Sequence, residues 1–263
     1  MSKHLIPMFS MSGKPTEEEL DRLFSDYESV GIDTLLLYPR TGLEYPYLSE
    51  EYFRMLRRYL DAGRRRGFRF WLYDEYNWPS GQCGGLVTQT EEYCLKALCR
   101  AGEGESARIE ICRKDRNGTT YPDVLSPAAV HAFIRNTHER YKHEIGSLFG
   151  NSVIGFFSDE PSYVYIANRN AADWLLWRYR DATPYYSGME EDYRRLTGRD
   201  LREDFLHDGE SPAYCSAVGR LLNDRFFHTY MDAVRTWCEE NGLLFTGHLY
   251  SEHDVAASVK DNY

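Results

Sequence analysis

Short apolar runs alternate along this chain with longer stretches whose apolar residues recur every three or four positions, the signatures of strand and helix. Leu5 to Ser10 predicts a first strand. Thr16, with Glu19 three residues on, forms a capping box for a helix whose Leu20, Leu23, Phe24, Tyr27 and Val30 share one face and which Gly31 ends. Asp33 to Tyr38 predicts a second strand, opening into Pro39-Arg40-Thr41-Gly42. Ser49 caps a second helix with Phe53, Leu56 and Leu60 inward, and Arg64-Arg65-Arg66 reads as its solvated, dipole-compatible end. The third strand is the aromatic run Phe70-Trp71-Leu72-Tyr73, which passes through Asp74 and Glu75 into Trp78-Pro79-Ser80-Gly81, a sequence that cannot continue it.

Residues 86–125 break this rhythm. A short helix is predicted over Thr90 to Arg100, then two strands, Ala107 to Cys112 and Thr119 to Val124, joined as a hairpin at Asn117-Gly118. Ser126-Pro127 opens a helix carrying Val130, Phe133, Ile134, Thr137 and Tyr141 on one face and ending near Gly146 or Gly150. Val153 to Phe157 predicts the fourth strand, running into Ser158-Asp159-Glu160-Pro161. Helical segments follow at Ala171 to Arg180, Met189 to Thr197 and Ser211 to Asn241. Leu243 to Gly247 predicts the fifth strand, delivering His248 and then Glu252.

Repeated strand–helix units with acids at strand ends define an α/β chain with a parallel sheet. Ser10-Met11-Ser12-Gly13 lacks the spacing of a phosphate-binding glycine loop, which favours a (β/α)8, TIM-barrel-type domain over a nucleotide-binding sheet. Five strand–helix units are countable where such a barrel has eight. The expectation is therefore one incomplete barrel domain over residues 1–263, with an insertion at about 86–125. Its open sheet edges would promote self-association, and alone it would turn over no substrate.

Composition narrows the partners. A net charge of −10 argues against nucleic acid or an anionic membrane surface, and no window approaches the roughly 18 apolar residues of a span. The first residues contain no separable signal peptide, and six cysteines without CxxC pairs read as reduced thiols, so a cytoplasmic protein without zinc or disulfides is expected. An aromatic content of 15% leans towards carbohydrate.

The candidate chemistry sits at the strand ends. Asp74, Glu75, Trp78 and Ser80 suit a polyhydroxylated ligand, the ring covering a sugar face and the carboxylates accepting hydroxyls. The plain alternative is a capped strand end. Asp159 and Glu160 follow Phe156 and Phe157, a setting in which burial and a like charge favour an acid catalyst; the alternative is a cap for the following segment. His248 could hold a sugar hydroxyl or serve as an ordinary hydrogen-bonding residue. Tyr38 and Arg40 face the same rim or a solvated loop.

Leu72-Tyr73-Asp74-Glu75 leading to Trp78-Pro79-Ser80-Gly81 resembles the α-L-rhamnosidases of glycoside hydrolase family 106 and their relatives. So do Ser158-Asp159-Glu160-Pro161, the Tyr193 to Leu201 segment, and Trp237 to Gly242 leading to Thr246-Gly247-His248. The resemblance implies a (β/α)8 barrel that hydrolyses a glycosidic bond with inversion, with a calcium ion near the sugar. It implies Glu160 as the general acid and Glu252 as a calcium or sugar ligand, with the partnering base further along than this chain reaches. Two other classes stay open. One is a carbohydrate-binding partial barrel without catalysis. The other is a metal-dependent hydrolase using Asp74, Glu160, His248 and His253, although these histidines match neither HxH nor HExxH.

Overall fold

Secondary structure follows local sequence most closely in the first eighty residues. The computed structural model describes residues 5–101, 106–111, 120–164, 182–209 and 211–250. In chain order they form β1 (Met8–Ser10), α1 (Glu17–Ser29), β2 (Thr34–Tyr38), α2 (Glu50–Arg64), β3 (Arg69–Tyr73), β4 (Lys96–Ala101) and β5 (Ser106–Ile111). Then come α3 (Pro127–Asn136), α4 (His138–Ile145), β6 (Val153–Asp159), β7 (Ala182–Tyr185), α5 (Met189–Thr197) and α6 (Leu201–Asp208). The series closes with α7 (Pro212–Phe226), a π-helical segment (Phe227–Met231), α8 (Asp232–Glu240) and β8 (Leu244–His248). The Thr16/Glu19 capping box is formed in both directions, and Ser49 Oγ accepts the Tyr52 N–H.

The chain divides into two compact units, one of Met1–Gly84, Phe133–Glu160 and Val234–His248, the other of Gly85–Ala132, Pro161–Ala233 and Leu249–Tyr263. The first holds a five-stranded, wholly parallel sheet in the order β1-β2-β3-β6-β8. Each strand therefore lies beside the previous strand of this sheet, so the winding never reverses, whereas a doubly wound sheet reverses at its switch point. Alternation sorts the side chains. Phe70, Leu35, Leu37, Leu72 and Phe156 are buried on one face. Against it pack Phe24 of α1 (on Phe70), Tyr141 and His138 of α4, and Trp237 of α8 (all three on Phe156). Gly63 of α2 permits the closest approach, since a Cβ there would stand 2.4 Å from the Phe70 ring. The opposite face carries Tyr38, Trp71, Tyr73, Gly155, Phe157, Asp159, Thr246 and His248, in register across the strands.

The second unit holds a three-stranded antiparallel sheet, β5-β4-β7, with α5, α6 and α7. Two expectations are corrected here. Thr90 to Arg100 is not a helix; two 3₁₀ turns (Val87–Gln89, Glu91–Tyr93) lead into β4, which pairs residue by residue with β5 on one side and β7 on the other. Helix formers such as Leu95, Lys96, Ala97 and Leu98 are overridden by those two partners, a tertiary effect stronger than propensity. The hairpin partner of β5 is likewise the upstream β4 rather than residues 119–124; Asn117-Gly118 itself lies outside the described residues. So does the helix expected over Ala171 to Arg180. The predicted helix from Ser126 breaks at Thr137 into α3 and α4. The one predicted from Ser211 is helical throughout but passes through the π segment.

Candidate functional site

The carboxyl ends of β2, β3, β6 and β8 bring the predicted residues of the first unit together on the face opposite Phe24, Tyr141 and Trp237. Tyr38 closes β2, and its ring meets Tyr73 edge-on at 4.8 Å. Tyr73 stacks on Phe157 at 6.0 Å, and Phe157 meets the His248 ring at 5.0 Å. The Arg40 guanidinium lies over Tyr38, 4.8 Å from the ring centre. A row of rings thus crosses four strands.

Asp159 lies in this row. Tyr73 Oη donates to Asp159 Oδ2 at 2.7 Å, and His248 Nδ1 lies 3.4 Å from Asp159 Oδ1. Burial, then the hydrogen bond to Asp159, push the Tyr73 hydroxyl far above its ordinary value, so it stays a donor. Burial also raises Tyr38, against the pull of Arg40.

Glu160 leaves β6 with a left-handed backbone, φ 49°, unusual for a residue with a side chain. Its N–H donates to the His248 carbonyl at 3.0 Å, and Trp78 Nε1 donates to Glu160 Oε2 at 3.0 Å. The Trp78 indole is 43% exposed, so a large ring and a half-buried carboxylate are offered side by side. Non-glycine residues in this region cost about 1–2 kcal/mol and collect at functional sites.

Asp74 and Glu75, expected to accept sugar hydroxyls, are both fully buried and direct their oxygens inward. Glu75 accepts four backbone N–H groups, from Tyr76, Gln82, Cys83 and Gly84, at 2.6–2.9 Å. It ties the Trp78-bearing loop into a closed ring, with Asn77 at φ 65° and Cys83 at φ 53° making the bends. Burial pushes Glu75 up to about 7 against the opposing pull of those N–H groups. Asp74 points to the helix side. Its Oδ1 accepts Ser80 Oγ at 2.6 Å, and its Oδ2 lies 3.6 Å from Nε2 of the buried His138. Ser80, also buried, accepts the Asp159 N–H at 2.8 Å and donates its own N–H to the Asp159 carbonyl at 2.9 Å. Asp74, Glu75 and Ser80 thus position Trp78 and Asp159 from behind.

The metal-ligand grouping fails on the same ground, because Asp74 and His248 lie on opposite faces of the sheet. Glu252 and His253 lie outside the described residues. Among the described residues no group of three or more His, Cys, Asp or Glu side chains forms a cation cage. No described helix is long and apolar enough to cross a membrane, and Cys83, Cys94, Cys99, Cys215 and Cys238 are free thiols. Tyr73 and His138 carried no separate signal in the sequence. Tyr73 reads as one more apolar strand residue until β6 is known to bring Asp159 beside it.

No family model and no curated protein matches the chain. Among solved structures, a xylosidase from Aspergillus niger is similar over 74% of this chain at 11% identity, with a TM-score of 0.36. The aligned part spans 29% of that protein's length. A likeness of this size carries no argument about chemistry, and the site rests on its own geometry.

Proposed function

We propose that the protein is a glycoside hydrolase, with an α-L-rhamnoside as the substrate class, built on a barrel-type sheet. The observation that carries this reading is the rim itself: Glu160 in a left-handed turn, gripped by an exposed indole, beside a row of rings and Asp159. Glycosidic cleavage needs a carboxylic acid beside the leaving oxygen and a flat apolar surface under the sugar. Glu160 supplies the proton and Trp78 both orients it and covers the ring. Asp159, with one oxygen taken by Tyr73 and the other near His248, suits a sugar hydroxyl better than an attacking water. Tyr38 and His248 complete the binding side. For turnover by this chain we assign the second carboxylate to Glu252, four residues past β8 in sequence. This replaces the calcium- or sugar-ligand role that the resemblance implies and goes against the inactivity expected from the strand count. The consecutive strand order, with α1, α4 and α8 of the same unit packed on one face, fits a barrel arc.

The test is a panel of rhamnosides, xylosides and glucosides assayed with the wild type and with Glu160→Gln. Release of rhamnose by the wild type, lost by a factor of about 10² or more in the variant, is expected. Sugar binding without any turnover would replace the hydrolase by a carbohydrate-binding protein. Equal turnover by the two proteins would remove Glu160 from the role.

A further inference from the structure

We infer that this rim selects carbohydrates bearing a carboxylate, and that Arg40 is the residue that reads it. The inference rests on the carbohydrate reading above and adds a carboxylate on the sugars adjoining the neutral one that is cleaved, so an oligouronide probes that adjoining part of the rim. The chain carries 41 acidic against 31 Lys and Arg residues, so an anionic glycan meets general repulsion unless a cation receives it locally. Many of its arginines are spent on acids, as Arg66 is on Asp21 and Glu28, and Arg199 on Asp204 and Asp208. Arg40 has neither an ion pair nor a side-chain hydrogen bond among the described residues, although it is half-buried.

Its place is fixed by its neighbours. The Asn77 N–H donates to the Pro39 carbonyl at 3.2 Å, Thr41 Oγ1 donates to Asn77 Oδ1 at 2.8 Å, and the Leu43 N–H donates to Arg40's own carbonyl at 3.1 Å. The loop after β2 is thereby tied to the loop that carries Trp78. Stacking on Tyr38 holds the guanidinium against a ring and leaves its N–H edge as the polar part. Tyr38 feels the charges of both Arg40 and Asp159, so the cation and the acids serve one ring row. A planar fork of five donors matches a carboxylate in two bonds at once, whereas a neutral sugar needs no such group.

The experiment is calorimetric titration of the whole chain with an oligouronide and with the same oligosaccharide after its carboxylates are reduced to alcohols. The wild type should bind the oligouronide about tenfold tighter or better, as a charge-assisted pair warrants. Arg40→Gln should abolish that preference while leaving affinity for the reduced oligosaccharide within about twofold, and Arg40→Lys should fall between. Equal binding of the two ligands by the wild type, or binding of neither, overturns the inference. So does a variant that loses affinity for both alike, which would make Arg40 a local counter-charge for Asp159. Hydrolysis plays no part in the readout, so loss of the hydrolase reading and loss of this one are separable.

Discussion

At the residue scale, the buried carboxylates decide how the site is held. Glu75→Gln sets an amide N–H₂ against backbone donors that now share a carboxylate, and should cost about 3 kcal/mol in urea unfolding. Because burial raises the folded value of Glu75 to about 7 from an ordinary 4.5, the folded state holds the proton longer than the unfolded one. Its contribution therefore lowers stability as pH rises from about 4.5 to 7 and is flat above, and Glu75→Gln should lose that slope. A variant as stable as the wild type at both ends of the window would contradict the buried cradle. Ser80→Ala removes the donor from one Asp74 oxygen and the acceptor from the Asp159 N–H, for about 2 kcal/mol and a disordered rim. The sequence placed Asp74 and Glu75 at a strand's end next to a loop, and that much held. It could not tell which way each carboxylate turned, since one residue of register decides between the two sheet faces.

At the element scale, strands and caps were legible where local signals agreed with tertiary context. All five parallel strands sit within a few residues of their predicted positions, because each is an apolar run bounded by glycine or proline. β4 and β7 were not legible. The first has helix-forming residues, and the second contains Pro184, tolerated because β7 is an edge strand. The helix α6 was missed although Asp200 with Glu203 three residues on is a start signal, and Asp200 indeed caps it. Two substitutions rank the local and packing terms. Thr16→Ala should cost about 1 kcal/mol by removing one cap. Gly155→Ala should cost about 2–3 kcal/mol or more, because a Cβ there would fall 2.3 Å from the Trp71 ring and 2.5 Å from the Leu244 carbonyl. Chemical denaturation of both would reverse that order only if the sheet can spread at β6.

At the scale of the whole molecule, the parallel sheet is open among the described residues, with β1 and β8 at its edges. Met8 is 47% and Leu244 61% exposed on these strands, and exposed apolar edges favour association. We propose weak self-association through them. Light scattering should give a mass that rises with concentration, and Met8→Lys with Leu244→Lys should flatten that rise; a constant monomer mass would dispose of it. The central claim is that Glu160 protonates a departing sugar oxygen. It is tested most directly with a series of aryl rhamnosides whose leaving groups span several units of pKa, comparing the wild type with Glu160→Gln. The wild type should show a shallow dependence of kcat/KM on leaving-group pKa. The variant should fall steeply as the leaving group becomes poorer, while the most acidic phenol still departs at a near-normal rate. Parallel lines for the two proteins would contradict the account.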